Sequence, residues 1–329
     1  MSSAASLPAA PRFPSAALTG AYAGALERLE PAGTRWLSPS RARRKRWMYV
    51  VAASDEVLAA AAVVEGGWFG GAFAWAADRV SGAILMEASA PGLPWINARL
   101  SDHGRPGAAA RFSGSGVTVR IDRDVRGWLL EVDSRAGAIE LALEVERAFA
   151  PFTFVAAVPR GGLRATEKSA GLAASGRVRV GERTLSLAGG SGGVDVTAGI
   201  LARETAWRWA FGTGRAAGGP FGFNLCEGFG VPSGDPGENA GFERGAPYRL
   251  PPVAIRPGDS EWRIASDDGS VDLTFRRLAS HRERRNLGVL RTRFTQIAGA
   301  FEGTIPGRDG MPVAVQGLPG VVEDHWAVW

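Results

Sequence analysis

The chain has 329 residues, 45% of them hydrophobic and 22% charged, which excludes wholesale disorder and exceeds what one compact core usually fills, so two domains are expected. Its 45 Gly and 20 Pro follow no collagen-like period and predict many short strands rather than long helices. One cysteine, Cys226, and three scattered histidines, His103, His281 and His325, exclude an internal disulfide and a structural zinc site, while the net charge of +5 invites a nucleic-acid reading that the charge distribution opposes.

All but two of the 38 basic residues are Arg, and most stand beside Asp or Glu. Dense basic runs occur only at 41–46 and 282–285, which read as solvated segments, and no nucleic-acid-binding signature accompanies them. No nucleic-acid partner is therefore expected.

Residues 1–40 are rich in Ala, Pro and Ser and read as an N-terminal extension, with one or two amphipathic turns at Leu18, Tyr22, Leu26 and Leu29. They show neither a charged n-region nor a continuous apolar h-region, and no uncharged run is long enough for an integral membrane segment, so a cytoplasmic protein is expected. Residues 47–53 and 57–64, separated by a polar turn, predict a hairpin apolar on both faces, broken by the glycines of 66–71 before Phe73 and Trp75. Short strands follow at 116–120, 127–132, 139–145, 177–180 and 184–187, a spacing that favours a sandwich or barrel over a doubly wound sheet. The pattern restarts near residue 200. Residues 205–211 alternate, with Trp207 and Trp209 on one face and Arg208 on the other, and glycines 212–219 predict a turn. Later strands are expected at 220–225, 262–265, 270–276, 291–300, 303–305 and 311–317, with Asp267, Asp268 and Gly269 as a hairpin turn. The predicted division is an extension at 1–40, a first domain at 41–200 and a second at 201–329.

Two motifs imitate catalytic signatures. The glycines around Ser191 match a serine-hydrolase elbow, but extended chain follows where a helix is required, so a flexible loop is the better reading. Gly212, Gly214 and Ala217 mimic a dinucleotide fingerprint, yet Gly218, Gly219 and Pro220 forbid the helix that would meet a phosphate. More informative are carboxylates set among aromatics and glycines: Asp195, Glu204, Glu227, Glu238, and Glu323 beside Asp324. Such groups either tie down loops through backbone amides or line a dry cavity, where a raised pKa makes a proton donor. Trp207 and Trp209 would form a flat apolar wall, with Arg208 free to hold a carboxylate on the far side.

These residues also carry a resemblance. The basic segment through Trp47 and Tyr49, then Asp195 to Gly199, Trp207-Arg-Trp209, Phe223 and Asn224, Glu238-Asn239, and Gly320 through Glu323 to Trp326, occur in the order seen in a bacterial family known as domain of unknown function 2804. That family is similar to the carotenoid 1,2-hydratase group, whose members have two lipocalin-like barrels, a fold shared with decalin-forming Diels-Alderases. The resemblance implies an all-β chain of two consecutive lipocalin-like antiparallel barrels, with a ligand cavity in or between them. Val196, Ala198 and Arg208 depart from the family's usual aromatic, Arg and Asn. The resulting expectation is a hydrophobic small-molecule ligand, with no metal or organic cofactor. Asp195 is the expected general acid toward an alkene, Trp207 and Trp209 the stabilisers of developing charge, and Asn224 with Glu238 the group that orients water. Arg208, Asn239, Glu323 and Trp326 complete the predicted binding set. A non-catalytic carrier and a cofactor-free pericyclase use the same cavity and stand as alternatives.

Overall fold

Alternating apolar residues and frequent turn chemistry produce strands almost throughout. The computed structural model describes residues 6–31, 42–146, 149–216, 218–232, 234–286 and 290–328, which form two antiparallel sheets of fourteen and nine strands. The first curls into a nearly closed barrel and the second into a half-barrel, as the all-β expectation required. The first sheet ends at Ile200 and the second begins at Glu204. None of the helices among the described residues is long and apolar enough to cross a membrane.

The central ladder of the first sheet runs through Val57–Gly66, Arg44–Ala53, Gly190–Ile200 and Leu163–Val180. Hairpin partners extend it on both sides, out to Ile84–Gly92 at one end and Ala98–Leu100 at the other. In the second sheet the first strand, Glu204–Ala216, pairs with the last, Pro312–Val328, so the two ends of that segment meet at its centre.

Period-two alternation sorts each strand's side chains between two buried faces. Met48, Val50 and Ala52 enter the barrel core, whereas Tyr49, Val51 and Ala53 pack between the sheets. This is why the hairpin at 47–64 is apolar on both faces. The barrel interior is filled by residues such as Phe112, Trp128 and Leu130, and the half-barrel by Phe223, Trp262, Phe275 and Phe301.

Glycine explains most differences from the sequence reading. The stretch around Ser191 is no loop but the start of the strand Gly190–Ile200, and a Cβ on Gly193 would stand 2.3 Å from the Phe211 ring and 2.2 Å from the Ser169 carbonyl. Likewise 212–216 continues the strand Glu204–Ala216, because Gly212 and Gly214 leave room for Phe223 and Leu318. Ala217 lies outside the described residues. Gly222 packs on Ala170 and on Gly171, whose φ of +75° belongs to a bulge in the Leu163–Val180 strand. Here glycine admits a neighbour's ring or backbone rather than turning the chain.

Two further expectations change. The amphipathic turns at 18–29 are instead a strand, Gly20–Ala23, paired with Phe152–Ala157, and Leu26 and Leu29 enter the barrel core. The basic run at 42–46 is not a solvated segment, for Arg44 and Arg46 pair with Glu65, and Arg44 also with Glu30, which offsets the cost of burying their charges; Arg41 lies outside the described residues.

Gly193→Ala is expected to cost about 1–3 kcal/mol through overpacking against Phe211. Gly189→Asn, at φ +72° with no atom within 4 Å of a built Cβ, is expected to cost under about 1 kcal/mol. Urea unfolding of the two variants checks the ordering, which reverses if residue 189 is the tight position.

Candidate active site

The same alternation decides which side chains meet between the sheets. Val194, Val196 and Ala198 point into the barrel, so Asp195 and Thr197 face the second sheet. A cross-strand row runs Lys168, Asp195, Tyr49, Ala62, Phe73 in the first sheet. In the second sheet Trp209 lies opposite Glu323 and Glu323 opposite Gln296, while Trp207 lies opposite His325 and His325 opposite Phe294. Between these rows is a cavity of about 360 Å³, walled by Trp47, Phe69, Phe73, Trp207, Trp209 and Phe294 among other apolar groups. It lies between the two sheets rather than inside either.

Its polar groups form two sets. In the first, Lys168 Nζ donates to Asp195 Oδ2 at 2.6 Å and lies 3.3 Å from Glu238 Oε1, while Arg164 donates to Glu238 Oε2 at 2.5 Å. Asp195 also accepts from Trp47 Nε1 at 3.1 Å and from Thr197 Oγ1 at 2.8 Å. Two cations thus meet two carboxylates, and the buried cluster is close to neutral. Burial alone would raise the Glu238 carboxyl, but Lys168 and Arg164 outweigh it and hold its pKa at about 2. Burial opposes the Lys168 ammonium too, and Asp195 and Glu238 outweigh that, raising its pKa.

Glu323 belongs to the second set. It accepts from Trp207 Nε1 at 2.8 Å and Gln296 Nε2 at 2.9 Å, and among the described residues no Lys or Arg pairs with it. The Gln296 orientation follows from Trp75, whose indole N–H only donates and reaches Gln296 Oε1 at 3.0 Å, leaving the amide nitrogen toward Glu323. Burial pushes the Glu323 carboxyl up to about 7, outweighing the Trp207 and Gln296 donors, while the Asp195 charge adds to the rise and the more distant Lys168 charge opposes it. Beside it His325 stacks on Trp207 with ring centroids 3.8 Å apart and planes 5° apart, and burial lowers its pKa to about 3, so the imidazole is neutral at neutral pH. Cys226 also lines the cavity, but burial and the Glu238 charge raise its thiol well above the ordinary value, so it offers no thiolate near neutrality.

Of the predicted site residues, the fold brings Asp195, Trp207, Trp209, Glu238 and Glu323 to the cavity. Asp195 is not the isolated acid expected, because its carboxylate is paired with Lys168. Glu238 is locked to Arg164 and Lys168 and has no proton to give near neutrality. Asn224 stands behind the wall, accepting from Trp209 Nε1 at 2.6 Å and donating to the Glu238 carbonyl at 2.8 Å, so it holds an indole and a loop rather than water. Asn239 bonds the Cys226 amide and the Pro251 carbonyl. Arg208 points to the opposite face, as alternation requires, within 3.6 Å of Glu227 and 3.9 Å of Asp324. Trp326 is on that same opposite face, donating to Glu204.

Sequence reasoning missed Lys168, Arg164, Gln296, Tyr49 and His325. Lys168 carried a signal, as one of only two lysines in an arginine-rich chain. The others lie on strands far apart in sequence and come together only once the sheets are paired.

The chain belongs to the family described as Domain of unknown function (DUF2804), which it matches over residues 18–329. No curated protein matches it. Its lipocalin-like double-barrel architecture is shared with the crystal structure of CghA, at 12% identity and a TM-score of 0.52 over 86% of this chain and 87% of that one. The crystal structure of CghA with Sch210972 aligns at 11% identity and 0.53 over 98% of each chain. Kievitone hydratase from Nectria haematococca aligns at 13% identity and 0.49, over 86% and 88%. These likenesses concern the fold.

Two outcomes follow from the charge arrangement. Lys168→Met leaves Asp195 and Glu238 short of a buried cation and is expected to cost about 3–5 kcal/mol in urea unfolding. Glu323 binds its proton more tightly folded than unfolded, so its contribution to stability is complete below pH 4.5 and is lost as pH rises to about 7. Glu323→Gln, which mimics the protonated acid, should therefore gain on the parent across that window and run parallel above it. Glu167 and Lys45 are also shifted to about 7, so the variant-minus-parent difference is the quantity to follow. A difference that is flat between pH 4 and 8 would show an ordinary carboxylate at 323.

Proposed function

We propose that the cavity binds a hydrophobic small molecule carrying an alkene, of the polyene, isoprenoid or polyketide-like classes, and that Glu323 delivers the proton that starts its hydration, isomerisation or cyclisation. The observation that carries this reading is a carboxyl group with no Lys or Arg paired to it among the described residues, buried in an aromatic cavity with its pKa near 7. The Glu323 O–H bond breaks as a C–H bond forms at one alkene carbon, and positive charge develops at the other. Trp207, stacked on neutral His325 and 6.1 Å from Trp47, offers ring faces to that charge. Addition of water or loss of a neighbouring proton then ends the sequence and returns the proton to Glu323.

In this reading the acid role expected of Asp195 passes to Glu323. Asp195 keeps a positioning role, since its charge helps raise the Glu323 pKa and its other bonds hold Lys168, Thr197 and Trp47. Glu238 is structural. The dry, aromatic wall would strengthen the proton transfer by excluding competing water.

Turnover of a panel of polyenes and isoprenoid alkenes in deuterated water tests the proposal by deuterium incorporation. The parent rate should be constant below pH about 7 and fall tenfold per unit above it, and Glu323→Gln should lose about 10²–10⁴-fold. Asp195→Asn should move the fall to lower pH, because one neighbouring negative charge is gone. A pH-independent rate that survives Glu323→Gln would point instead to a pericyclase acting by shape and hydrogen bonding, and tight binding without turnover to a carrier.

A further inference from the structure

The rim of the cavity carries a second pattern. The chain passes from Ile200 to Glu204 between the sheets, so the strand ends that pair with these residues share one rim. Arg44 lies opposite Ile200, with Gly66, Phe69 and Gly92 at the same end of the first sheet. Val328 lies opposite Glu204, followed by Arg291 and Asn286 in the second.

On the first-sheet side two turns leave large apolar side chains in solvent: Trp68 is 57% exposed, Leu93 52% and Ile96 74%. Leu93 also lines the cavity, so this surface is continuous with its mouth. On the second-sheet side, Glu283, Arg285, Thr292 and Phe294 face the cavity, and alternation turns Arg284, Arg291 and Arg293 outward, where they are exposed. Arg284 and Arg293 stand directly opposite each other in the ladder, a like-charge pair that destabilises a sheet unless an anion lies against it. Arg291 and Arg293 lie 5.8 and 5.0 Å from the Trp326 ring centroid. The nearby acids are engaged elsewhere, Glu283 with Arg285 and His281 and Glu204 with the Trp326 N–H, and no carboxylate among the described residues pairs with these three arginines.

We propose that this rim docks on an anionic lipid surface, with Trp68, Leu93 and Ile96 inserted at the interface and the arginines on the headgroups. Both halves of the pattern are needed for such a surface: arginines gain from headgroup charge, and exposed apolar side chains gain from the hydrocarbon boundary. A nucleic acid would satisfy the arginines and leave the apolar turns in water. The cavity mouth would then open onto the bilayer. That last point rests on the proposed apolar ligand; the docking itself does not.

Co-sedimentation of the full chain with phosphatidylcholine vesicles, with and without phosphatidylglycerol, tests the surface. Binding should require phosphatidylglycerol and weaken with added salt, and Arg284→Gln with Arg293→Gln should weaken it about 25-fold, at roughly fivefold per arginine removed. Trp68→Ser with Ile96→Ser should weaken it as well. Absence of binding, equal binding to neutral vesicles, insensitivity to either pair of variants, or tighter binding to oligonucleotides than to vesicles would each overturn the proposal. Quenching of tryptophan fluorescence by parinaric acid in vesicle-free buffer reads cavity occupancy separately. Loss of that signal with vesicle binding intact sinks the cavity reading alone, and the reverse sinks the docking alone.

Discussion

The architecture depends on how closely the two sheets approach at Gly193 and Gly222. Phe211 occupies the space a side chain on residue 193 would need, and the backbones at Gly171 and Gly222 come within van der Waals distance. That contact brings Asp195 and Lys168 of the barrel close to Trp209 of the half-barrel, with Lys168 Nζ 5.5 Å from the Trp209 ring centroid. Further along the same strands the cavity lies between the sheets, lined by bulkier rings in place of glycine. A contact plane of small residues therefore does what a hinge pin does, fixing the separation of two walls whose side chains are otherwise unrelated in sequence.

Within that frame, charge pairing separates three buried carboxylates. Desolvation penalises Glu238 and Glu323 in the same direction, so the outcome turns on the cations within reach. Lys168 and Arg164 pair with Glu238 at 2.5–3.3 Å, and there the charges outweigh burial; Lys168 also pairs with Asp195 at 2.6 Å. Glu323 accepts from the neutral N–H groups of Trp207 and Gln296 and pairs with no Lys or Arg among the described residues, and there burial wins. The division of labour among the acids thus follows from where Lys168 and Arg164 point, both of which lie on the one long strand Leu163–Val180.

The aromatic residues serve two ends. Trp75, Trp209 and Trp47 hold the polar network through their indole N–H groups, to Gln296, Asn224 and Asp195 respectively. Trp47 and Trp209 also present apolar faces to the cavity, as does Trp207, whose N–H is bonded to Glu323. An indole satisfies a buried acceptor while remaining almost entirely hydrophobic, which suits Trp47, Trp75, Trp207 and Trp209 to the space between the sheets.

The sequence alone determined the all-β class, the hairpin at 47–64, the alternation that sets Trp207 and Trp209 against Arg208, and a restart near residue 200, because these rest on local periodicity and turn chemistry. It also marked Asp195, Glu238 and Glu323 as acids in apolar surroundings. It misread 190–193 and 212–216 as loop and turn, since a glycine that admits a ring from another strand looks the same in sequence as one that bends the chain. Which acid keeps its proton was decided only by tertiary structure. Lys168 and Asp195 are 27 residues apart, and Arg164 and Glu238 are 74 apart. The pKa of a buried carboxyl depends on charges within a few ångströms in space, and nothing in the spacing of residues along the chain records that distance.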